Sequence, residues 1–138
     1  MIADRNTSLL IAALVALVFG ALTIVSGGRA LFGGAEASAA VGNAVSFVLW
    51  FNFLAGGFYV VAGIGLYLRH RPAVWISIAI LASTVLVSLA FGLHVLQGGA
   101  FEMRTVGAMV LRTGVWAAIS IVAWKHIGGR ARPEEGNP

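Results

Sequence analysis

Charged side chains and cysteine are what this sequence most lacks. Only 10% of its 138 residues are Asp, Glu, Lys or Arg, whereas about a quarter of a soluble domain is charged. A chain with so few charges cannot cover a water-facing surface. The hydrophobic share of 59% and the mean hydropathy of +0.94 indicate an integral membrane protein. The absence of cysteine excludes disulfides, thiolate nucleophiles, thiolate metal sites and haem attached through cysteine.

Catalytic and nucleic-acid-binding signatures are also lacking. The net charge of +4 could suggest a nucleic-acid partner, but the basic residues flank apolar runs and are not interleaved with stacking aromatics, so no nucleic-acid partner is predicted. There is no paired-carboxylate arrangement, no phosphate-cradling glycine loop and no nucleophile elbow. The sequence therefore predicts no catalytic residues, no metal site and no cofactor. The sequence favours a non-catalytic protein over an enzyme.

The apolar runs that are present predict four transmembrane helices. The fold class is all-α, an up-and-down integral membrane bundle that fills residues 1–127, followed by a flexible cytoplasmic tail at 128–138. Each run is close to the roughly 20 residues that a helix needs to cross a bilayer. The predicted spans are about 8–26, 44–68, 74–97 and 105–124.

The ends of the first span carry two further expectations. Thr7 or Ser8 is expected to be the N-cap of the first helix, and Asn43 that of the second. The segment 27–42, which follows the first span, is expected to be a Gly-rich loop. A secretory signal peptide is the competing interpretation, because a small-residue site follows at 37–39. The apolar run is long for a signal peptide and only Arg5 precedes it, so a retained span is favoured.

The basic residues predict the orientation of the bundle. Of the nine basic residues, Arg29 and Arg104 lie outside the spans on one side of the membrane, six lie on the other side, and Arg112 lies inside a span. The positive-inside rule then places both termini in the cytoplasm of a multi-pass protein of the cell, or inner, membrane. The six residues predicted on the cytoplasmic side are Arg5, Arg69, Arg71, Lys125, Arg130 and Arg132.

Small residues recur at a helical spacing that predicts close helix packing. In the first span they recur every four residues, and in the second they cluster as glycines, which let neighbouring backbones approach. The predicted packing residues are Ala12, Ala16, Gly20, Gly56, Gly57 and Gly63. The second helix, basic turn and third helix, L-A-G-G-F-Y-V-V-A-G-I-G-L-Y-L-R-H-R-P-A-V-W, resemble the middle of small four-helix membrane proteins of the DoxX-like kind. The resemblance implies a four-helix bundle and carries over no functional residue.

Polar side chains gather in the outer half of the predicted bundle. A rise of about 1.5 Å per residue places His94 about 6 Å, Arg112 about 10 Å and Asn52 about 12 Å below the outer end, with the others near the rim. Polar groups at such depths are costly, so they mark a candidate ligand site. Its predicted members are Asn52, His94, Gln97, Glu102, Arg104 and Arg112.

Several of these residues have a structural alternative. Arg112 either snorkels to the interface or faces inward to pair with Glu102, Asn52 or an anionic ligand, and the inward orientation is favoured. His94 could be a metal or haem ligand or a proton carrier, but a hydrogen-bonded interior histidine is the favoured interpretation. For Asn52, an interhelical hydrogen bond is favoured over a binding role.

Three hypotheses for function follow. The favoured one is a non-catalytic accessory or assembly subunit of a larger membrane complex, or a homo-oligomer, in which glycine-lined faces pack against partners in the lipid bilayer. The alternative is a binder or carrier of a small anionic or quinone-like ligand in an outward-facing pocket. The third is a membrane enzyme with His94 or Glu102 as general acid or base.

Overall fold

The architecture is entirely helical in the part of the chain that can be described. The structure is a computed structural model that describes residues 2–40, 42 and 45–127, with the backbone alone for residues 2–6, 37, 38 and 40. Four of its helices are long and apolar enough to span a membrane, which confirms the prediction of four such helices. The helices are α1 (Ile2–Phe32), α2 (Ala35–Ala40), α3 (Ser46–Tyr67), α4 (Arg71–Leu96) and α5 (Met103–His126).

The four long helices form a ring in the order α1, α3, α4, α5, and each runs antiparallel to its neighbours. Gly27 of α1 lies against Phe53 of α3, whereas Leu17, ten residues earlier on α1, lies against Gly63, ten residues later on α3, so these two helices run in opposite directions. Trp75 packs against Trp124 across α4 and α5. The α1–α3 contact is the most extensive of the four, and the α1–α5 contact is the least extensive. The short helix α2 packs against α1.

Glycines bring the backbones of α1 and α3 together. A Cβ added to Gly20 would lie 2.9 Å from the carbonyl oxygen of Gly56, and one added to Gly63 would lie 3.1 Å from that of Ala13. Ala12 and Ala16, also predicted to pack, are buried in the core. Gly57 lies outside this contact, because a Cβ there would meet nothing within 4 Å. The small-residue face of α1 is therefore covered by α3 of the same chain.

Two expectations about the ends of α1 are wrong. The helix begins at Ile2, before Thr7 and Ser8, and it continues to Phe32, into the segment predicted to be a loop. Gly27 packs against the side chain of Phe53, so tertiary contact sustains a helix that the local composition disfavours. The predicted cap at Asn43 and the predicted tail at 128–138 lie outside the described residues.

The bundle buries many small side chains together with a few large ones, and it exposes many large apolar side chains. Trp116, Tyr59 and Leu66 are fully buried at its centre. Many large apolar residues point outward along all four long helices, including Leu22, which is 62% exposed. This distribution is the reverse of that in a soluble bundle, where polar side chains cover the outer faces.

Candidate functional site

A pocket opens at the end of the bundle where α1 ends and where α3 and α5 begin. Its volume is about 270 Å³, and polar side chains from three helices reach it. Helix α4 contributes none of its lining residues. The lining consists of Thr23, Ser26, Gly27, Ala30, Val45, Val48, Leu49, Asn52, Glu102, Arg104, Thr105, Ala108 and Arg112.

Arg112 lies deepest along α5 among these lining residues and is turned into the bundle. Its side chain is only 9% exposed. The Nη1 group donates two hydrogen bonds, each of 3.1 Å, to the hydroxyl oxygens of Thr23 and Tyr59. The guanidinium carbon also lies 5.0 Å from the centroid of the Phe19 ring and 5.8 Å from that of Tyr59, within the range of cation–π attraction. Arg112 is thus held by α1 and α3 together.

The partners of Arg112 are neutral. The expected pairing with Glu102 or Asn52 is wrong, because the two hydroxyl groups take that place. Within the described part of the chain, no carboxylate forms an ion pair with Arg112, and its buried Nε has no hydrogen-bond partner. A cation that lacks both a counter-ion and an acceptor for one donor is an unusual occupant of a buried position.

The other polar residues of the pocket lie nearer its mouth. Asn52 is on the same face of α3 as Tyr59, about two turns closer to the open end, and its buried Oδ1 has no hydrogen-bond partner among the described residues. Glu102 immediately precedes α5, and its carboxylate lies against Gly42, where a Cβ would be 2.6 Å from Oε2. Arg104 is exposed at the start of α5. The pocket therefore has charged groups at its rim and a guanidinium at its floor.

His94 and Gln97 do not line this pocket. The imidazole of His94 lies against Gly99, and its Nε2 is 2.9 Å from the carbonyl oxygen of Ala100. This contact fixes the turn between α4 and α5, in which Gly98 adopts a φ of 86°. Gln97 is exposed at the end of α4. The structure thus brings together four of the six predicted site residues and places these two outside the pocket, at the end of α4, where the ring of His94 packs against that of Phe47.

Three residues that the sequence analysis did not single out complete the site. Thr23, Tyr59 and Phe19 surround the guanidinium of Arg112. Two signals were present in the sequence: Thr23 is the only polar residue between Leu9 and Val25, and Tyr59 has a hydroxyl group in the middle of an apolar run. Among the described residues, no three His, Asp or Glu side chains come together as a metal site would require.

Comparison with known proteins adds no relative. No protein-family model, curated protein or solved structure matches this chain.

Proposed function

We propose that the protein is a multi-pass protein of the cell membrane, with both termini in the cytoplasm. Four helices of sufficient length and hydropathy support insertion, as do the large apolar side chains that face outward along them. Arg69, Arg71 and Lys125 lie at one end of the antiparallel bundle, and Arg29 and Arg104 lie at the other. The surplus of basic residues at the first end favours its placement on the cytoplasmic side, so the pocket opens outward.

We further propose that the pocket binds a small anionic ligand. The observation that carries this proposal is a buried guanidinium that has no carboxylate partner among the described residues and lies at the floor of an open pocket. An arginine at the centre of a membrane helix costs about 2.5 to 3.5 kcal/mol on insertion scales. Two neutral hydroxyl groups and two aromatic faces offset part of this cost. An anion would supply the missing charge.

Arginine also suits the geometry of such a ligand. Its planar fork of donors binds carboxylates and phosphates through paired hydrogen bonds, whereas lysine acts as a point charge. Nη1 is already committed to Thr23 and Tyr59, and these bonds fix the plane of the guanidinium. The ligand head would therefore meet a donor group that is held in place before binding, which lowers the ordering cost of association.

Native mass spectrometry of the protein, extracted in mild detergent from its own membranes, tests this proposal. We expect the wild type to retain a defined anionic mass that Arg112→Gln loses. Thr113→Val is the matched control, because Thr113 is next along α5 but bonds only to the carbonyl of Met109, outside the pocket. Retention of the same mass by Arg112→Gln, or its equal loss from Thr113→Val, would contradict the proposal.

A second candidate is the accessory-subunit role, with a different surface from the one first expected. Gly20, Gly56 and Gly63 are covered within the chain by the α1–α3 contact. By contrast, a Cβ at Gly107 or Gly114 on α5 would meet nothing within 4 Å. The outer face of α5 thus presents small residues to which a helix of a partner subunit could pack closely.

The accessory role makes its own experimental prediction. Gly114→Leu should release the protein from a larger assembly in native extracts while leaving the retained anion unchanged, because Gly114 does not line the anion pocket. Gly57→Leu is the control, since it also lies away from close contacts but on α3. Migration of wild type and Gly114→Leu at the same size would exclude this face as a subunit interface.

A further inference from the structure

An apolar groove begins at the level of Arg112, on the outer side of the α1–α5 contact. Near Arg112 it has a volume of about 410 Å³ and is lined by Phe19, Leu22 and Leu111, among others. A second section of about 330 Å³ continues toward the start of α1. The two sections share Val15 and Val115, so they form one groove, named here the α1–α5 groove.

The α1–α5 groove runs along the depth of the predicted membrane. It extends from Leu22 to Ser8 on α1, which corresponds to about 21 Å at a rise of about 1.5 Å per residue. The contact between α1 and α5 is the least extensive of the four neighbouring pairs. An extended apolar chain can therefore lie between these two helices without displacing the tightly packed α1–α3 contact.

Arg112 of the anion pocket and Phe19 of the α1–α5 groove are in contact, although the two spaces share no lining residue. Phe19 lines the groove while the guanidinium of Arg112 lies over its ring. Leu111 lines the groove and its neighbour Arg112 lines the pocket. On α1, Leu22 likewise lines the groove and its neighbour Thr23 lines the pocket. A charged head bound to Arg112 would therefore lie beside the α1–α5 groove, which continues toward the start of α1.

We propose that the anion bound at Arg112 is the head of an amphiphile whose single long apolar chain lies in the α1–α5 groove. This inference rests on the proposed function and assigns its ligand class: a carboxylate or phosphate head on a chain of the fatty-acid type. Charge complementarity holds the head, and van der Waals packing of the chain against Val15 and Val115 fixes its position along the groove. A small water-soluble anion would bind at Arg112 alone, and the surrounding lipid would occupy the groove.

Photolabelling in nanodiscs of zwitterionic lipid tests the inference. The probe is palmitate with a diazirine in mid-chain, and the comparison probe has the same chain with an alcohol head. We expect the carboxylate probe to label the α1–α5 groove at least five-fold more than the outer face of α4. Labelling should fall to the level of the alcohol probe in Arg112→Gln.

Two further variants keep the test valid if Arg112→Gln folds poorly. Val115→Trp adds bulk where the two sections of the groove meet and leaves the hydroxyl partners Thr23 and Tyr59 in place, and it should reduce groove labelling about five-fold. Leu89→Trp is the matched control, because Leu89 is 66% exposed on α4 and lines neither section of the groove. It should leave groove labelling unchanged.

The outcomes separate failure of the inference from failure of the proposed function. Equal groove labelling by both probes would mean that ordinary lipid fills the groove, and it would overturn the inference. Even labelling of all faces, together with an Arg112-dependent small anion in native mass spectra, would overturn the inference and leave the anion site standing. If Arg112→Gln changed neither the labelling nor the retained mass, the inference and the proposed function would both be overturned.

Discussion

The close approach of α1 and α3 predicts that one methyl group has opposite effects at two glycines. In Gly20→Ala the new Cβ would lie 2.8 Å from Cγ2 of Val60, 2.9 Å from the carbonyl oxygen of Gly56 and 3.0 Å from Cβ of Tyr59. The backbone oxygen cannot rotate away, so the helices must separate. In Gly57→Ala the Cβ would meet nothing within 4 Å.

The magnitudes follow from two opposing effects. Replacing glycine by alanine within a helix stabilises it by about 1 kcal/mol, and this gain applies to both variants. Overpacking a well-filled contact costs about 1 to 3 kcal/mol, and this cost applies to Gly20→Ala alone. We therefore expect Gly57→Ala to be about 1 kcal/mol more stable than the wild type, and Gly20→Ala to be less stable than Gly57→Ala by about 2 kcal/mol.

The assay is reversible unfolding by SDS in mixed micelles, followed by tryptophan fluorescence, to which the fully buried Trp116 contributes. Each variant is compared with the wild type at equal micelle concentration. A difference between Gly20→Ala and Gly57→Ala below about 0.5 kcal/mol, the usual scatter of surface substitutions, would refute the close backbone approach. A destabilised Gly57→Ala would show instead that its face is packed, for example against a second copy.

Three other predictions address the site and its surroundings. Tyr59→Phe removes one of the two hydroxyl partners of Arg112, so the retained anion should dissociate more readily in native mass spectra at raised collision energy, and unchanged release would speak against a positioning role. His94→Ala should speed hydrogen exchange in the α4–α5 turn, because the bond to Ala100 is lost, while ligand retention stays as in the wild type. Gly98→Ala should lower the free energy of unfolding by about 1 kcal/mol, because its φ of 86° is unfavourable for alanine. SDS unfolding would measure that change, and a neutral result would argue against this turn conformation.

The helices could be predicted from the sequence because their signal is local. Runs of apolar residues of membrane-spanning length fix the number of long helices, and the four-residue spacing of Ala12, Ala16 and Gly20 marks the face of α1 that is buried. The partner of that face could not be predicted, because pairing depends on distant residues such as Gly56 and Gly63. The extension of α1 past Gly27 was missed for the same reason, since Phe53 stabilises it from another helix.

The depth of the candidate-site residues in the bundle could be predicted from the sequence, but the rotation of each helix about its axis could not. Counting residues from the helix ends places Asn52, His94 and Arg112 in one layer of the bundle. Which of them face one another depends on the rotation of each helix about its axis, which the packing of neighbouring helices decides. In the structure α4 turns His94 toward its own turn, while α3 and α5 direct Asn52 and Arg112 to the same pocket.

The chemistry around Arg112 favours a ligand-binding role for the charge over a purely structural one. If the charge served only to stabilise the bundle, a carboxylate would be the expected partner, because a buried ion pair needs both members. The contacts with Thr23 and Tyr59 orient the guanidinium without neutralising it. A methionine could fill the same space against Phe19 without the desolvation cost of a charge. The fold thus bears a cost that stability does not require, and this cost is the reason for the proposal that an anion binds in the adjoining pocket.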